Sequence, residues 1–164
     1  MELLGKRHSV RRFSDRLIED EKVEKIIKAI NLAPTAGGIE DFKVTVVKSR
    51  EARAELQEAT FVDGAPLVVI FSALPKASKK FYGDRGEKLY SIQDATISCT
   101  YALLAIEALG LATTWVGNFN EDEIKKIIGA AEDEIPVALL PVGYAAEDNK
   151  QVQKTLKEKA VKYI

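Results

Sequence analysis

The stretch "SIQDATISCTYALLAIEAL", Ser91 to Leu109, is apolar on nearly every face after Ala95. A surface helix keeps one apolar stripe, whereas a helix apolar all round must be covered all round, by its own chain or by a second subunit. The stretch therefore predicts a long buried helix, ended by Gly110, which can take the left-handed conformation that closes helices. Its neighbours say what packs around it. "PLVVIFSA", Pro66 to Ala73, and "PVALLPVGY", Pro136 to Tyr144, are apolar runs of strand length that suit strands buried on both faces. "KVTVVK", Lys43 to Lys48, alternates and is β-branched, as a strand should be, and "ATTWVG", 112 to 117, reads as a short one.

Helices fill the gaps. From Asp20 to Ala33 the residues Val23, Ile26, Ile27, Ile30 and Ala33 form one stripe, stopped by Pro34 and Gly37-Gly38. "EARAELQEA", 51 to 59, is a surface helix, "NEDEIKKIIG" a capped helix ended by Gly129, and the tail "VQKTLKEKAVKY" a polar helix. "PKASKKFYGDRGEKLY", Pro75 to Tyr90, has no clean period and reads as a loop or lid with broken helix. The order predicts an α+β fold with helices flanking a sheet in three layers, α/β/α, as a single domain over 1–164.

The bulk numbers exclude several functions. Twenty-four basic residues against 25 acidic ones give no global field for a phosphate backbone, so no nucleic-acid role is expected. No run is long and apolar enough to span a bilayer and no signal-peptide pattern opens the chain, which points to no membrane and a cytoplasmic location. One cysteine, Cys99, cannot form an internal disulfide, and one cysteine with one histidine cannot furnish a tetrahedral zinc site. Cys99 reads as a small buried apolar residue, and Trp115 as core. There is neither a GxxxxGK[ST] loop nor a GxGxxG fingerprint, and a catalytic triad would need His8 beside the charge of Arg7.

One feature resists the balanced composition. Between Lys6 and Arg16 five positive charges face Asp15 alone. Within "KRHSVRRF" the residues Arg7, Ser9 and Arg11 alternate, so an extended segment turns two guanidinium forks and a hydroxyl to one side. That set suits a single phosphate, with Arg12 turned to solvent; a solvated basic loop is the other reading.

The stretch "SVRRFSDRLIEDEKVEKIIKAINLAPTAGG" resembles the opening of the nitroreductase family of FMN flavoproteins, with its R-x-S-x-R-x-[FY] start and later A-P-[ST]-[AS]-x-N. "YGDRGEKLYSIQDA", "ALGLATTWVGNF" and "PVALLPVGY" continue the resemblance in the family's order. The resemblance implies FMN as cofactor, held at its phosphate and pyrimidine edge by Arg7, His8, Ser9 and Arg11. It implies a homodimer with FMN at the interface, where Pro34, Thr35, Ala36 and Gly38 of one subunit reach the other's flavin. Val116 and Gly117 are implied backbone contacts near the reactive nitrogen, with Gly117 allowing a close approach. Lys154 is implied at the phosphate, with Lys150 in reserve, and Gln93 and Asp94 open the long helix as caps or as polar neighbours of the cofactor.

The chain departs from the family at Gly38, where asparagine is usual, and at "EDF", Glu40 to Phe42, where Q-P-W is frequent. The activity implied is transfer of reducing equivalents from NAD(P)H to a nitroaromatic, quinone or similar acceptor by a ping-pong scheme, with no catalytic side chain. Alternatives are a specialised branch performing flavin fragmentation, dehalogenation or dehydrogenation, and a flavin-binding module without turnover. Arg85 is open between a substrate contact and exposed ion pairing.

Overall fold

The computed structural model describes residues 1–60, 64–147 and 159–164. At its centre is an antiparallel sheet of four strands: β1 (Phe42–Val47), β2 (Leu67–Ala73), β3 (Ala112–Thr113) and β4 (Ile135–Gly143), in the spatial order β1-β2-β4-β3. Among the described residues six α-helices accompany it: α1 (Glu2–Lys6), α2 (Asp20–Asn31), α3 (Arg50–Thr60), α4 (Pro75–Arg85), α5 (Ser91–Ala108) and α6 (Glu121–Ile128).

The continuous apolar run of β2 has a simple cause. Every one of its residues is buried, because successive side chains point to opposite faces and both faces are covered. Leu67, Val69 and Phe71 join Val23, Ile26 and Ile30 of α2 and Cys99, Ala102, Leu103 and Ile106 of α5. Val68 and Ile70 join Leu56 and Ala59 of α3 and Ile124 of α6. The α+β expectation therefore holds in its three layers: α2 and α5, then the sheet, then α3 and α6.

The small residues Ala95, Cys99 and Ala102, none with any exposed surface, face inward along α5. Burial pushes the Cys99 thiol up, which keeps it a neutral packing group. The opposite side of α5 is not covered: Ile92 and Tyr101 remain 38% and 41% exposed. Gly110 closes the helix at φ 69°, with Leu111 N–H donating to the Ile106 carbonyl at 3.0 Å. Asn120 and Gly129 cap α6 as its sequence demands, Asn120 accepting from Glu123 N–H and Gly129 left-handed at φ 60°.

Several expectations change. Pro75 to Tyr90 is helical almost throughout: α4 breaks only at Gly83, whose φ of 57° and ψ of −146° suit glycine alone, and a π turn at Gly86–Tyr90 runs on into α5. Its missing period is explained by the two residues that α4 buries, Pro75 and Ser78. The third strand stops at Thr113, and Val116 forms an isolated bridge to Leu139. Trp115, read as core, is 38% exposed. The expected tail helix lies largely outside the described residues, and 159–164 carry no regular structure. No helix among the described residues is long and apolar enough to cross a membrane.

Phe71 sits fully buried at the centre of the sheet. Phe71→Ala is expected to cost about 3–5 kcal/mol of stability, read as a lowered urea midpoint at unchanged slope.

Candidate functional site

The basic segment is fixed by its two apolar residues. Val10 is 2% exposed and its N–H donates to the Thr113 carbonyl at 3.0 Å. Phe13 packs at the end of β4 beside Gly143, where any side chain would strike Phe13 and Pro66. Ser14 N–H donates to the Tyr144 carbonyl at 2.9 Å and Ala146 N–H to the Arg12 carbonyl at 3.1 Å. The segment thus runs as an extra edge along the sheet.

A polar clamp holds its far end. Lys22 Nζ donates to the Leu109 carbonyl and the Tyr144 hydroxyl, each at 2.9 Å, and that hydroxyl donates to Glu19 at 2.6 Å. The Arg16 guanidinium stacks 3.9 Å over the Tyr144 ring. The bond from Tyr144, a backbone N–H and Arg16 together hold the Glu19 carboxyl down at about 2.

With Val10 turned inward, Ser9 and Arg11 face solvent and Arg7 and His8 are half-buried. His8 Nδ1 donates to the Lys6 carbonyl oxygen at 3.2 Å. Neither the Arg7 nor the Arg11 guanidinium has an ion-pair or hydrogen-bond partner among the described residues. Arg11 lines a cleft of about 340 Å³ with Thr60, Thr114, Trp115, Val116, Gly117 and Asn118. Val116 exchanges two backbone hydrogen bonds of 3.0 Å with Leu139 of β4, which fixes the floor of this cleft to the central sheet. Trp115 is part of its wall.

The second group of sequence-predicted residues lies elsewhere. Pro34 is exposed, Thr35 and Ala36 are half-buried, and Ala36–Gly38 forms a 3-10 turn with Gly37 and Gly38 at φ 60° and 71°. The Tyr82 hydroxyl of α4 occupies the place a side chain at Gly37 would need. Tyr82 meets the Tyr90 ring edge-on at 5.3 Å, and Arg85 Nε donates to the Tyr90 hydroxyl at 3.0 Å, so Arg85 is committed to the α4 clasp. The Ala36 N–H donates to Asp94 Oδ2 of α5 at 2.7 Å. Ala36 lines a cleft of about 400 Å³ with Tyr90, Ile92, Gln93, Asp94, Thr96 and Ile97.

The fold therefore brings Arg11, Val116 and Gly117 together and keeps them apart from Ala36; the two clefts share no lining residue. Lys154 and Lys150 lie outside the described residues. Sequence reasoning missed Asp41, fully buried at the start of β1, and the Tyr82 contact. A third cavity of about 300 Å³, walled by Arg53, Leu56 and Leu139, shares Thr60 with the Arg11 cleft but contains none of the motif residues, and Arg53 is spent on the carbonyls of Lys48 and Ala65.

The family model "Nitroreductase family" matches residues 4–62 and 59–144, which takes in both clefts. The chain belongs to the nitroreductase family. It is an oxidoreductase of that superfamily, and the relatives agree. A candidate NADH dehydrogenase/NAD(P)H nitroreductase of Archaeoglobus fulgidus is 31% identical over 90% of this chain and 86% of its own. A crystal structure of a nitroreductase family protein from Clostridium difficile 630 superposes with a TM-score of 0.81 at 28% identity, covering 94% of this chain and 86% of that one. An FMN-dependent nitroreductase from Clostridium difficile R20291 gives 0.78 at 25% identity over 93% and 90% of the two chains.

The clamp that seats this nitroreductase's basic segment carries a pH signature. Glu19's folded value lies below its ordinary 4.5, so its contribution is complete above about pH 4.5 and is lost as pH falls toward 2. Thermal unfolding of Tyr144→Phe should fall below wild type above pH 4.5, with the gap closing toward pH 2.

Proposed function

We propose that this chain is an FMN-dependent oxidoreductase that takes reducing equivalents from NAD(P)H and gives them to a nitroaromatic, quinone or related acceptor by a ping-pong scheme. The observation that carries the reading is the pair of unpartnered guanidinium groups, Arg7 and Arg11, on one segment with the Ser9 hydroxyl, Arg11 lining the Trp115–Gly117 cleft. Cations without protein partners are open to an anion from outside the chain, and a phosphate accepts from two forks and a hydroxyl together. The donor set fits FMN.

FMN, when bound, supplies the electron-carrying chemistry that no side chain here possesses. The protein's share is binding and orientation. Arg7, Ser9 and Arg11 would hold the phosphate, and His8 would meet the flavin's polar edge; Lys154 lies outside the described residues. Gly117 leaves the cleft free of a side chain on the side where a planar ring would lie, and the ladder to Leu139 keeps Val116 from yielding.

The Pro34–Gly38 turn cannot complete that cleft within one chain, since it lines a different one. In our reading a second copy supplies it. The uncovered side of α5, with Ile92, Ile97 and Tyr101, and the exposed Ile27 and Leu32 of the neighbouring α2 end give an apolar surface for that copy. Such a homodimer holds each FMN at the interface, between the basic segment of one chain and the turn of the other.

The purified protein is expected to be yellow, and NADH or NADPH is expected to bleach it without air. Arg11→Ala should weaken FMN binding by more than about 1 kcal/mol, the scale of one charge-assisted hydrogen bond. A colourless protein that cannot be loaded with FMN removes the reading. A bleached protein that then reduces neither nitroaromatics nor quinones points to the specialised branch suggested by Gly38 and Glu40 to Phe42.

A further inference from the structure

Asp41 is fully buried, and neither of its carboxylate oxygens has a well-formed hydrogen bond. Buried carboxylates are rare unless paired, because the charge loses its water. Here the charge that acts on it is another carboxylate. Asp94, 4% exposed, bears on Asp41 from α5, while the Ser78 hydroxyl faces it from α4. Burial pushes the Asp41 carboxyl up to about 6, the Ser78 hydroxyl opposing the rise and the Asp94 charge adding to it.

The backbone fixes this meeting. The Leu74 N–H donates to the Asp41 carbonyl at 2.8 Å, and Ser78 N–H donates to the Leu74 carbonyl one turn into α4. Ser91, Asp94 and Ser98 follow one another along the buried side of α5, and the hydroxyls of Ser78, Ser91 and Ser98 also lack partners. Of the other titratable groups on the surrounding elements, Lys76 and Lys80 of α4 and Glu40 are exposed to solvent, and others are engaged. Lys43 of β1 pairs with the buried Glu134 at 2.9 Å, Lys79 of α4 with Glu87 at 2.6 Å, Tyr90 with Arg85, and Tyr82 stands over Gly37. No cation among the described residues reaches the two carboxylates.

Asp94 has a second task, since its Oδ2 accepts the Ala36 N–H at 2.7 Å and so ties down the turn that precedes Asp41. Two like charges buried side by side cannot both ionise at low cost; one proton between them removes the repulsion. We propose that Asp41 carries the proton of this buried cluster and that Asp41 and Asp94 together act as positioning residues, the protonated Asp41 letting Asp94 hold the Ala36–Gly38 turn in the shape it presents to the flavin of a second copy. The inference rests on the flavin reading for its consequence, and on the geometry of this chain for the pair itself.

The sign follows from linkage. Asp41's folded value stands above its ordinary 3.8, so the pair favours the folded turn fully below about pH 4 and withdraws that support as pH rises through about 6.

Two measurements test it. In the apoprotein, carboxyl carbon NMR of labelled aspartate should show the Asp41 carboxyl titrating near pH 6. In the same samples exchange of the Ala36 amide should quicken, beyond its intrinsic pH dependence, as that step is crossed. An Asp41 carboxyl that titrates at its ordinary value overturns the proposal, whatever flavin does.

In the holoprotein, the Kd for FMN should rise by roughly threefold or more between pH 5 and pH 7.5, the scale one linked proton allows. Asp41→Asn, which keeps the shape and removes the charge, should flatten that slope and raise the melting temperature at pH 7 but not at pH 4. An Asp41→Asn protein with the wild-type slope overturns the link to the turn, and Asp94→Asn checks the same point should the first variant fold poorly. A wild type that binds no FMN at any pH overturns the presentation to flavin, and is told apart because the NMR step is still read.

Discussion

The burial of β2 on both faces is the constraint on which the rest depends. A strand with no solvent face needs helices on each side, and α2 with α5 and α3 with α6 supply them. Because α5 must lie against the sheet through small residues such as Ala95, Cys99 and Ala102, its remaining side is left for something else. The sheet also serves as the jig for the candidate site. β4, the neighbour of β2, holds Val116 through Leu139 and the basic segment through Tyr144.

Both candidate half-sites hang from this frame at opposite attachments. One is pinned to the edge of the sheet at β3 and β4; the other is tied to the start of α5 by the Ala36 to Asp94 bond. Each half is incomplete in its own way. The first has cations without anions and the second has an apolar groove beside a glycine turn, and neither reaches the other in a single chain. A two-copy site is the arrangement that uses both.

Much of this was legible in the sequence, and the limits have physical causes. Apolar runs found β2, β4 and α5 because burial on two faces leaves no room for polar residues. Alternation found Arg7, Ser9 and Arg11 because Val10 between them is the buried anchor. Pro75 to Tyr90 reads as a loop or lid with broken helix, and only the break at Gly83 agrees, because a helix that buries only Pro75 and Ser78 has no apolar period to show. Trp115 was misread as core since its bulk says nothing of which wall it lines. Asp41 escaped notice because "EDF" looks like a polar turn, and only the third dimension reveals that its middle residue is buried against Asp94.

The central claim is that each flavin is held by the basic segment of one chain and the glycine turn of another. Mixed dimers of an Arg11→Ala chain with a Gly38→Glu chain test it most directly, by counting FMN bound per dimer. Each variant alone should bind little, while the mixed dimer should regain one of its two sites, because one interface then joins an intact Arg11 to an intact turn. A mixed dimer as empty as either parent would place both motifs in the same chain's site and contradict the account.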